Sequence, residues 1–347
     1  VSLRIGIVVG ETSGDNLAVN LIRSLRHYDA DLTFEGILGP ELIQYFIKDP
    51  PDLFIGVDVP DFNLRLEQQL KQHGIRTVHY VSPTVWAWRK NRIHLIKKAV
   101  DLMITLFPFE AKCYKEHQIP VCFAGHPAAD LIPLEINQKK AKEDLIFKEQ
   151  QTVIAILPGS RNNELKYLSR IFLNTARLCF EKRPDLQFVV PLVSKEHQKY
   201  FLALKSIVAP NVPIKVLLGN AYTAMAAAEA VLVASGTATL EVMLHKKPMV
   251  VAYRMHPLTY QIARLLVKIP YIALPNLLAE EGLVPEYIQD KAKPEALSQA
   301  LFKYLSSSSA VERQRLVKKF NELHLILKQD ASKKAARAIA TLLNLPV

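Results

Sequence analysis

The chain has 347 residues, half of them apolar, a mean hydropathy of +0.09 and a formal charge of +11. That length suits about two domains with separate cores, and no apolar run reaches the ~18 residues of a membrane span. Its three cysteines (Cys113, Cys122, Cys179) show no C-x-x-C spacing, which suggests neither a disulfide framework nor a zinc site. With no signal-peptide pattern at its start, the chain reads as cytoplasmic. The basic excess favours an anionic partner. No nucleic-acid-binding module or base-stacking array accompanies it, so a membrane surface or a phosphate-bearing ligand fits better than nucleic acid. A generally basic soluble enzyme fits equally well.

Leu3 to Val9 is a short apolar run of the buried parallel-strand type. It ends in Gly10-Glu11-Thr12-Ser13-Gly14-Asp15, and Asn16 to His27 reads as an amphipathic helix. Two glycines in a polar loop at a strand tip form a cradle for a polar ligand, although the spacing is neither G-x-G-x-x-G nor a Walker loop. A second strand, Thr33 to Leu38, leads through Gly39-Pro40 to a helix from Glu41 to Lys48. Leu53 to Val57 is a third strand, followed by Asp58-Val59-Pro60-Asp61-Phe62-Asn63. An acid at the carboxyl end of a central strand lies where open α/β sheets bind ligands, which makes Asp58 a candidate general base. Asp61 and Asn63 suit capping of a helix from Leu64 to His73, and a turn role is open to either acid.

Arg76 to Val81 is the next strand. Both tryptophans follow it, Trp86 and Trp88, beside Arg89, Lys90, Arg92, Lys97 and Lys98. This cluster is either a solvated helix face, an interface with anionic lipid or a pocket wall. Asp101 to Phe107 is a strand and Ala111 to His117 a helix. Val121 to Ala124 then leads into Gly125-His126-Pro127. Residues Ile132 to Gln151 suit a linker and the first helix of a new domain.

A second α/β series opens with the strand Thr152 to Leu157 and the turn Pro158-Gly159-Ser160-Arg161. An arginine beside a glycine turn at a strand tip is placed to hold a phosphate with two forked bonds, or is a surface residue. Strands follow at Gln187 to Val193 and Ile214 to Leu218, then Gly219-Asn220 and a small-residue helix from Tyr222 to Ala230. The segment AVLVASGTATLE, Ala230 to Glu241, is the centre of this half. A buried strand stops at Ser235-Gly236-Thr237 and a helix starts, so free N–H groups and a positive dipole end converge. Such a point accepts a phosphate, and Glu241 in the helix can turn toward a sugar hydroxyl. A plain strand-to-helix turn is the alternative. Pro248 to Tyr253 is another strand. Leu258 to Val267 is an amphipathic helix whose apolar face suits core packing better than lipid. Tyr271 to Asn276 is the last strand and loop, and from Lys293 the chain is helical with a break at Ser306 to Ser309. Scattered histidines indicate no metal.

Two doubly wound domains place a ligand in the crevice between them. One half offers acids at strand tips and the other offers glycine turns, an arginine and a helix start. That division suits a transferase with a base in one wall and a nucleoside diphosphate leaving group in the other. No D-x-D pair follows an apolar strand, which disfavours a metal-bridged diphosphate.

The segments VVGETSGDNL, FIGVDVPDFNLRLE, HYVSPTVWAWRKNRI, LFPFE, FAGHPAAD, ILPGSRNNEL, VASGTATLE, KKPMVVAYRM and LPNLLAEEGLVPE together resemble lipid-A-disaccharide synthase along nearly the whole chain. The resemblance implies a GT-B glycosyltransferase: two Rossmann-like, doubly wound parallel-sheet domains facing across a cleft, inverting and without metal or cofactor. The expected division is an acceptor-side domain at 1–130, a UDP-sugar domain at 131–310 and C-terminal helices at 311–347. Those helices either return to the first domain or exchange between protomers of a homodimer. The implied donor is UDP-2,3-diacylglucosamine and the implied acceptor 2,3-diacylglucosamine 1-phosphate, met at the cytoplasmic face of the inner membrane. By similarity, Asp58 matches the family's proposed base, Arg161 (after Ser160) the arginine for the donor diphosphate, and Asn276 a polar active-site residue. Glu241 resembles the ribose-binding acid of related enzymes, and the backbone near Leu218 the uracil site. Ser235, Gly236 and Thr237 would meet the diphosphate. Gly10, Glu11, Ser13 and Gly14 are similar to the family's loop in the N-terminal domain. The rival from another class is a UDP-sugar epimerase of the same fold. A departure follows Gly39-Pro40: the family continues for a few dozen residues, including an apolar membrane-facing segment, where this chain passes at once to Glu41. Much of the acyl-chain and membrane surface is therefore expected to be missing.

Overall fold

The structure, a computed structural model, describes residues 3–9, 12–36, 42–87, 91–267 and 269–346. Runs of five or six apolar residues recur between amphipathic stretches, and their central residues are buried on both faces. Parallel strands covered by helices have this pattern.

The first of two units runs to Leu131 and regains the chain from Ile326. It begins β1 (Arg4–Val9), α1 (Thr12–Leu25), β2 (Thr33–Glu35), α2 (Leu42–Lys48), β3 (Leu53–Val57), α3 (Pro60–Gln72). It continues β4 (Arg76–Tyr80), α4 (Arg92–Ala99), β5 (Leu102–Thr105), α5 (Pro108–Glu116), β6 (Val121–Phe123) and α6 (Pro127–Leu131). These strands are parallel in the order β2-β1-β3-β4-β5-β6, so the winding direction reverses between β1 and β3.

The second unit runs from Ile132 to Leu325, with Leu266 and Val267 grouped with the first. It begins α7 (Gln138–Asp144), β7 (Val153–Leu157), α8 (Asn162–Lys182), β8 (Gln187–Leu192), α9 (Lys195–Val208), β9 (Ile214–Leu218) and α10 (Ala221–Ala227). Next come β10 (Ala230–Ala234), α11 (Thr237–Leu244), β11 (Met249–Tyr253), α12 (Pro257–Leu266) and α13 (Leu274–Ala279). It closes with β12 (Glu286–Ile288), α14 (Pro294–Leu305) and α15 (Ala310–Leu327); α16 (Ala331–Leu342) belongs to the first unit. The parallel order is β12-β11-β10-β7-β8-β9, with the reversal between β7 and β10. Open α/β sheets bind ligands at such reversals, outside the carboxyl ends of the strands.

Leu21 and Leu25 of α1 and Ala335, Ala336 and Ile339 of α16 close over Ile5, Ile55 and Val57 of the first sheet. Each fully buried leucine there is worth about 1.5–3 kcal/mol. Asp130 caps α16 by accepting from the N–H groups of Asp330 (3.0 Å) and Ala331 (2.7 Å). In the second unit Glu229 ties α7 to the sheet. One of its oxygens accepts from Lys142 Nζ (2.6 Å) and Gln138 Nε2 (2.9 Å), the other from Val153 N–H (2.6 Å).

Several elements differ from the expectation. The first helix starts at Thr12, so Gly14 lies inside it; a Cβ there would come 2.8 Å from Val9 Cγ1. Gly14 therefore lets the helix approach the sheet and is not part of a loop cradle. Helix α3 starts at Pro60, whose fixed φ suits a first turn, so Asp61 and Asn63 are helical and do not cap. Tyr271 to Asn276 forms no strand: Pro275 opens α13 and the sheet edge is β12. The C-terminal helices break again at Lys328–Asp330, where Asp330 has φ +53°. Leu258 and Leu266 of α12 are exposed, contrary to core packing. The Pro40–Glu41 step, Trp88, Arg89 and Lys90 lie outside the described residues.

Gly125 has φ +91°, and a Cβ there would lie 2.6 Å from both Leu327 O and Gln329 Cβ. Gly74 has a similar φ (+83°) and open space. Gly125→Ala should therefore cost about 2–4 kcal/mol from strain plus collision, against about 1 kcal/mol for Gly74→Ala. Thermal melts of the two variants check the difference.

Candidate active site

At the reversal in the second sheet, β10 ends and α11 begins within three residues. Ser235 is still part of the sheet: its N–H donates to Ala252 O (3.0 Å) and its hydroxyl to Ile272 O (3.1 Å). The expected set of free N–H groups therefore begins one residue later. Gly236 has φ +149° and open space where a Cβ would stand, and its carbonyl accepts from Thr239 N–H at 3.0 Å. Among the described residues nothing accepts from the N–H groups of Gly236, Thr237 or Ala238. Three unsatisfied donors at a positive helix end form an anion seat. They line a cavity of about 280 Å³ with Gly159, Arg161 and Glu241.

The opposite wall is the turn from β7 to α8. Gly159 has φ +110°, and a Cβ there would lie 2.5 Å from Glu164 Cβ, so glycine lets Glu164 fold over the turn. One Glu164 oxygen accepts from Ser160 N–H (3.0 Å) and Arg161 N–H (3.3 Å). The Arg161 guanidinium touches only the rim of that carboxylate (3.3 Å) and is 79% exposed, which leaves most of its fork for a ligand.

Glu241, in α11, is half-buried and accepts from the Tyr222 hydroxyl at 3.2 Å. Burial pushes its carboxyl upward and the tyrosine opposes the shift. Burial holds His245 down to about 4, so it is neutral, and its Nδ1–H donates to Glu241 O (2.7 Å). Leu218 ends the edge strand β9, half exposed and outside this cavity's lining. Asn276 is buried with its amide fully engaged: Nδ2 donates to Val284 O (2.9 Å) and Glu286 (2.8 Å), and Oδ1 accepts from Val284 N–H (2.9 Å). It fastens the loop to β12 and is not among the residues that line this cavity.

At the reversal in the first sheet, Asp58 follows β3 with φ +56°, and Val59 follows with φ +42°. Two successive left-handed residues, neither a glycine, are strained, a cost of about 1–3 kcal/mol each that clusters at functional sites. The backbone is held from both sides: Asp58 N–H donates to Tyr80 O (2.9 Å), and Asn63 Nδ2 donates to Asp58 O (2.8 Å). The half-buried Asp58 carboxylate meets no donor among the described residues. Beneath the turn lies a pair that sequence reading missed, Glu67 of α3 and His79 of β4, 2.8 Å apart and fully buried. Burial pushes Glu67 up and His79 opposes this. A Cβ on Gly56 would lie 2.2 Å from Glu67 Oε1, so that glycine makes room for the pair. The signal was a carboxyl one turn after Asn63 on the helix's apolar face. Gly10 and Glu11, and the side chain of Ser13, lie outside the described residues.

Trp86 packs edge-on against Phe109 (4.8 Å between centroids), which stacks on Phe107 (5.5 Å). Phe107 in turn stacks on His126 (5.5 Å), whose burial holds it down to about 4. Trp86 is thus part of an aromatic row rather than an exposed anchor.

A family model described as lipid-A-disaccharide synthetase matches residues 40–340. A lipid-A-disaccharide synthase of Haemophilus influenzae (strain PittEE) is 44% identical over 378 aligned positions, covering 98% of this chain and 97% of its own. One of Cellvibrio japonicus is 44% identical over 379, covering 99% and 98%. Both alignments are longer than this chain, so these relatives carry residues that it lacks. Among solved structures, a UDP co-structure of S. aureus MnaA superposes with a TM-score of 0.65 at 14% identity over 100% of this chain and 98% of that one. The UDP-GlcNAc 2-epimerase of Neisseria meningitidis bound to UDP-GlcNAc gives 0.64 at 15%, over 99% and 100%. At such identities these structures speak for the fold alone, the two doubly wound units of GT-B proteins.

Glu110, at the start of α5, is buried, and burial pushes its carboxyl up to about 8 against the pull of the Phe107 and Leu106 N–H groups. A folded value above the ordinary 4.5 means stability that is complete below 4.5 and lost as pH rises through about 8. Glu110→Gln should remove this dependence, so its melting temperature should gain on that of the parent between pH 5 and 8. Paired melts across that range check it.

Proposed function

Because the chain belongs to the lipid-A-disaccharide synthase family, we propose that it transfers 2,3-diacylglucosamine from UDP-2,3-diacylglucosamine to the 6-hydroxyl of 2,3-diacylglucosamine 1-phosphate. The products are the β-1,6-linked disaccharide 1-phosphate and UDP. The acceptor oxygen attacks C1 of the donor sugar, the bond from C1 to the diphosphate oxygen breaks, and the configuration inverts. Asp58 takes the hydroxyl proton as the bond forms. A carboxylate that no described residue engages suits this role, and a single displacement needs only one.

The leaving diphosphate gains negative charge as C1 departs. The Gly236, Thr237 and Ala238 N–H groups and the Arg161 guanidinium meet it with donors fixed in advance, so little reorganisation is needed. Glu241 is the candidate for the ribose hydroxyls and the backbone near Leu218 for the uracil. Asn276 acts indirectly, by holding the loop to which Ser235 is bonded. The acyl chains of both substrates bring the enzyme to the cytoplasmic face of the inner membrane as a peripheral protein. Its charge of +11 and the exposed Leu258 and Leu266 favour that surface. Among the described residues no helix is long and apolar enough to cross a membrane.

The observation that carries this reading is the near-full-length identity of 44%, joined to an anion seat at the second reversal and a strained acid at the first. Incubation with the donor alone should release no UDP, and addition of the acceptor should start release; a UDP-sugar epimerase would convert donor without acceptor. Asp58→Ala should lower kcat by about 10²–10⁴-fold with donor binding retained. Arg161→Ala should weaken donor use by about 10–10²-fold, the worth of charged hydrogen bonds to phosphate. Initial rates at varied donor concentration separate the two effects.

A further inference from the structure

The end of the second sheet opposite the anion seat holds a larger cavity, of about 870 Å³. Thr152, Glu229 and Lys247, each just before its strand, mark it as the amino-terminal end of β7, β10 and β11. Three lysines are buried at this end: Lys142 (5% exposed), outside the cavity lining, and Lys246 (9%) and Lys247 (8%), within it. Glu229 neutralises the first at 2.6 Å. The second donates to Pro133 O (3.1 Å) and meets His324 Nδ1 (2.6 Å). For the Lys247 ammonium no hydrogen-bond or ion-pair partner stands among the described residues. Burial pushes it down to about 8, with Glu229 opposing and Lys142 adding to the shift. The side chain is buried, but its nitrogen is not sealed off and opens on the cavity, where an arriving anion can pair with a charge that burial has made costly.

Other lining groups share its sign. Arg183, ion-paired with Asp185, and Arg313, bonded to the carbonyls of Tyr304 and Ser306, stand against Glu229 and Glu322. Lys318 is exposed at the rim. Val317 and Leu325 add an apolar strip.

We propose that this cavity is a second anion site, in which Lys247, with Lys318 and Arg183, receives the phosphate group of a ligand whose apolar part lies along Val317 and Leu325. Free phosphorylated compounds and lipid headgroups present the same chemistry, and the test separates them.

Inorganic phosphate is titrated calorimetrically into the full chain, Lys247→Met, Lys318→Ala and Arg161→Ala. Lys247→Met keeps the length of the side chain and removes a buried charge, so its melting temperature should not fall; the rim variant Lys318→Ala gives a second reading. Phosphate affinity should drop at least 10-fold in Lys247→Met and several-fold in Lys318→Ala, and persist in Arg161→Ala. Loss in Arg161→Ala with retention in Lys247→Met would assign the phosphate to the nucleotide pocket and overturn the proposal. So would equal binding by all four proteins, or none by any. Co-sedimentation with phosphatidylglycerol vesicles, against phosphatidylcholine, identifies the source: a loss in Lys247→Met assigns a lipid headgroup, and no change a free phosphorylated compound.

Discussion

A helix that starts where a buried parallel strand stops cannot satisfy its own first N–H groups. In the second unit this leaves Gly236, Thr237 and Ala238 pointing three donors at one place, while Ser235 stays sewn to β11 and to Ile272. The strand order brings β7 beside β10, so the Gly159–Arg161 turn forms the facing wall. The seat is therefore set by backbone geometry before any side chain contributes. Arg161 and Glu241 line the same cavity and bring charged side chains to it.

The first unit positions its candidate base by a different route. Asp58 and Val59 occupy a backbone conformation that neither side chain favours, and the surrounding bonds hold it: Tyr80 O from the next strand and Asn63 from the helix below. The buried Glu67–His79 pair sits directly under this turn, and Gly56 is a glycine because the carboxyl occupies the space a side chain would need. A buried ionisable pair is weak evidence for stability. Its position suggests that its role is to fix the height and direction of the turn carrying Asp58.

The alternation of strands and helices was legible because a strand buried on both faces must be an apolar run, and Leu53–Val57, Val153–Leu157 and the core of AVLVASGTATLE stand out on that ground. Asp58, Arg161 and the Gly236 turn were legible because strand tips are where such sheets bind ligands. Contacts distant in sequence were not. Asn276 reads as a polar loop residue, yet Val284 and Glu286 take all of its amide; nothing local announces this. Gly14 and Gly56 read as loop and strand glycines, although their reason is a neighbour across the fold. Helix starts were misplaced at Thr12, because Gly14 in a polar stretch reads as loop, and at Pro60, because Asp61 and Asn63 inside the first turn resemble caps before it. Phosphate chemistry could be inferred from the turns, whereas the lipid substrates came through the family resemblance.

The claim on which the account rests is that backbone donors at Gly236–Ala238, with Arg161, receive the diphosphate of the sugar donor. A crystal structure of the enzyme with UDP tests it most directly. Diphosphate oxygens within hydrogen-bond distance of those three amide nitrogens, with the Arg161 guanidinium turned onto them, is the predicted result. A diphosphate bound elsewhere, with the three amides facing only water, would contradict it.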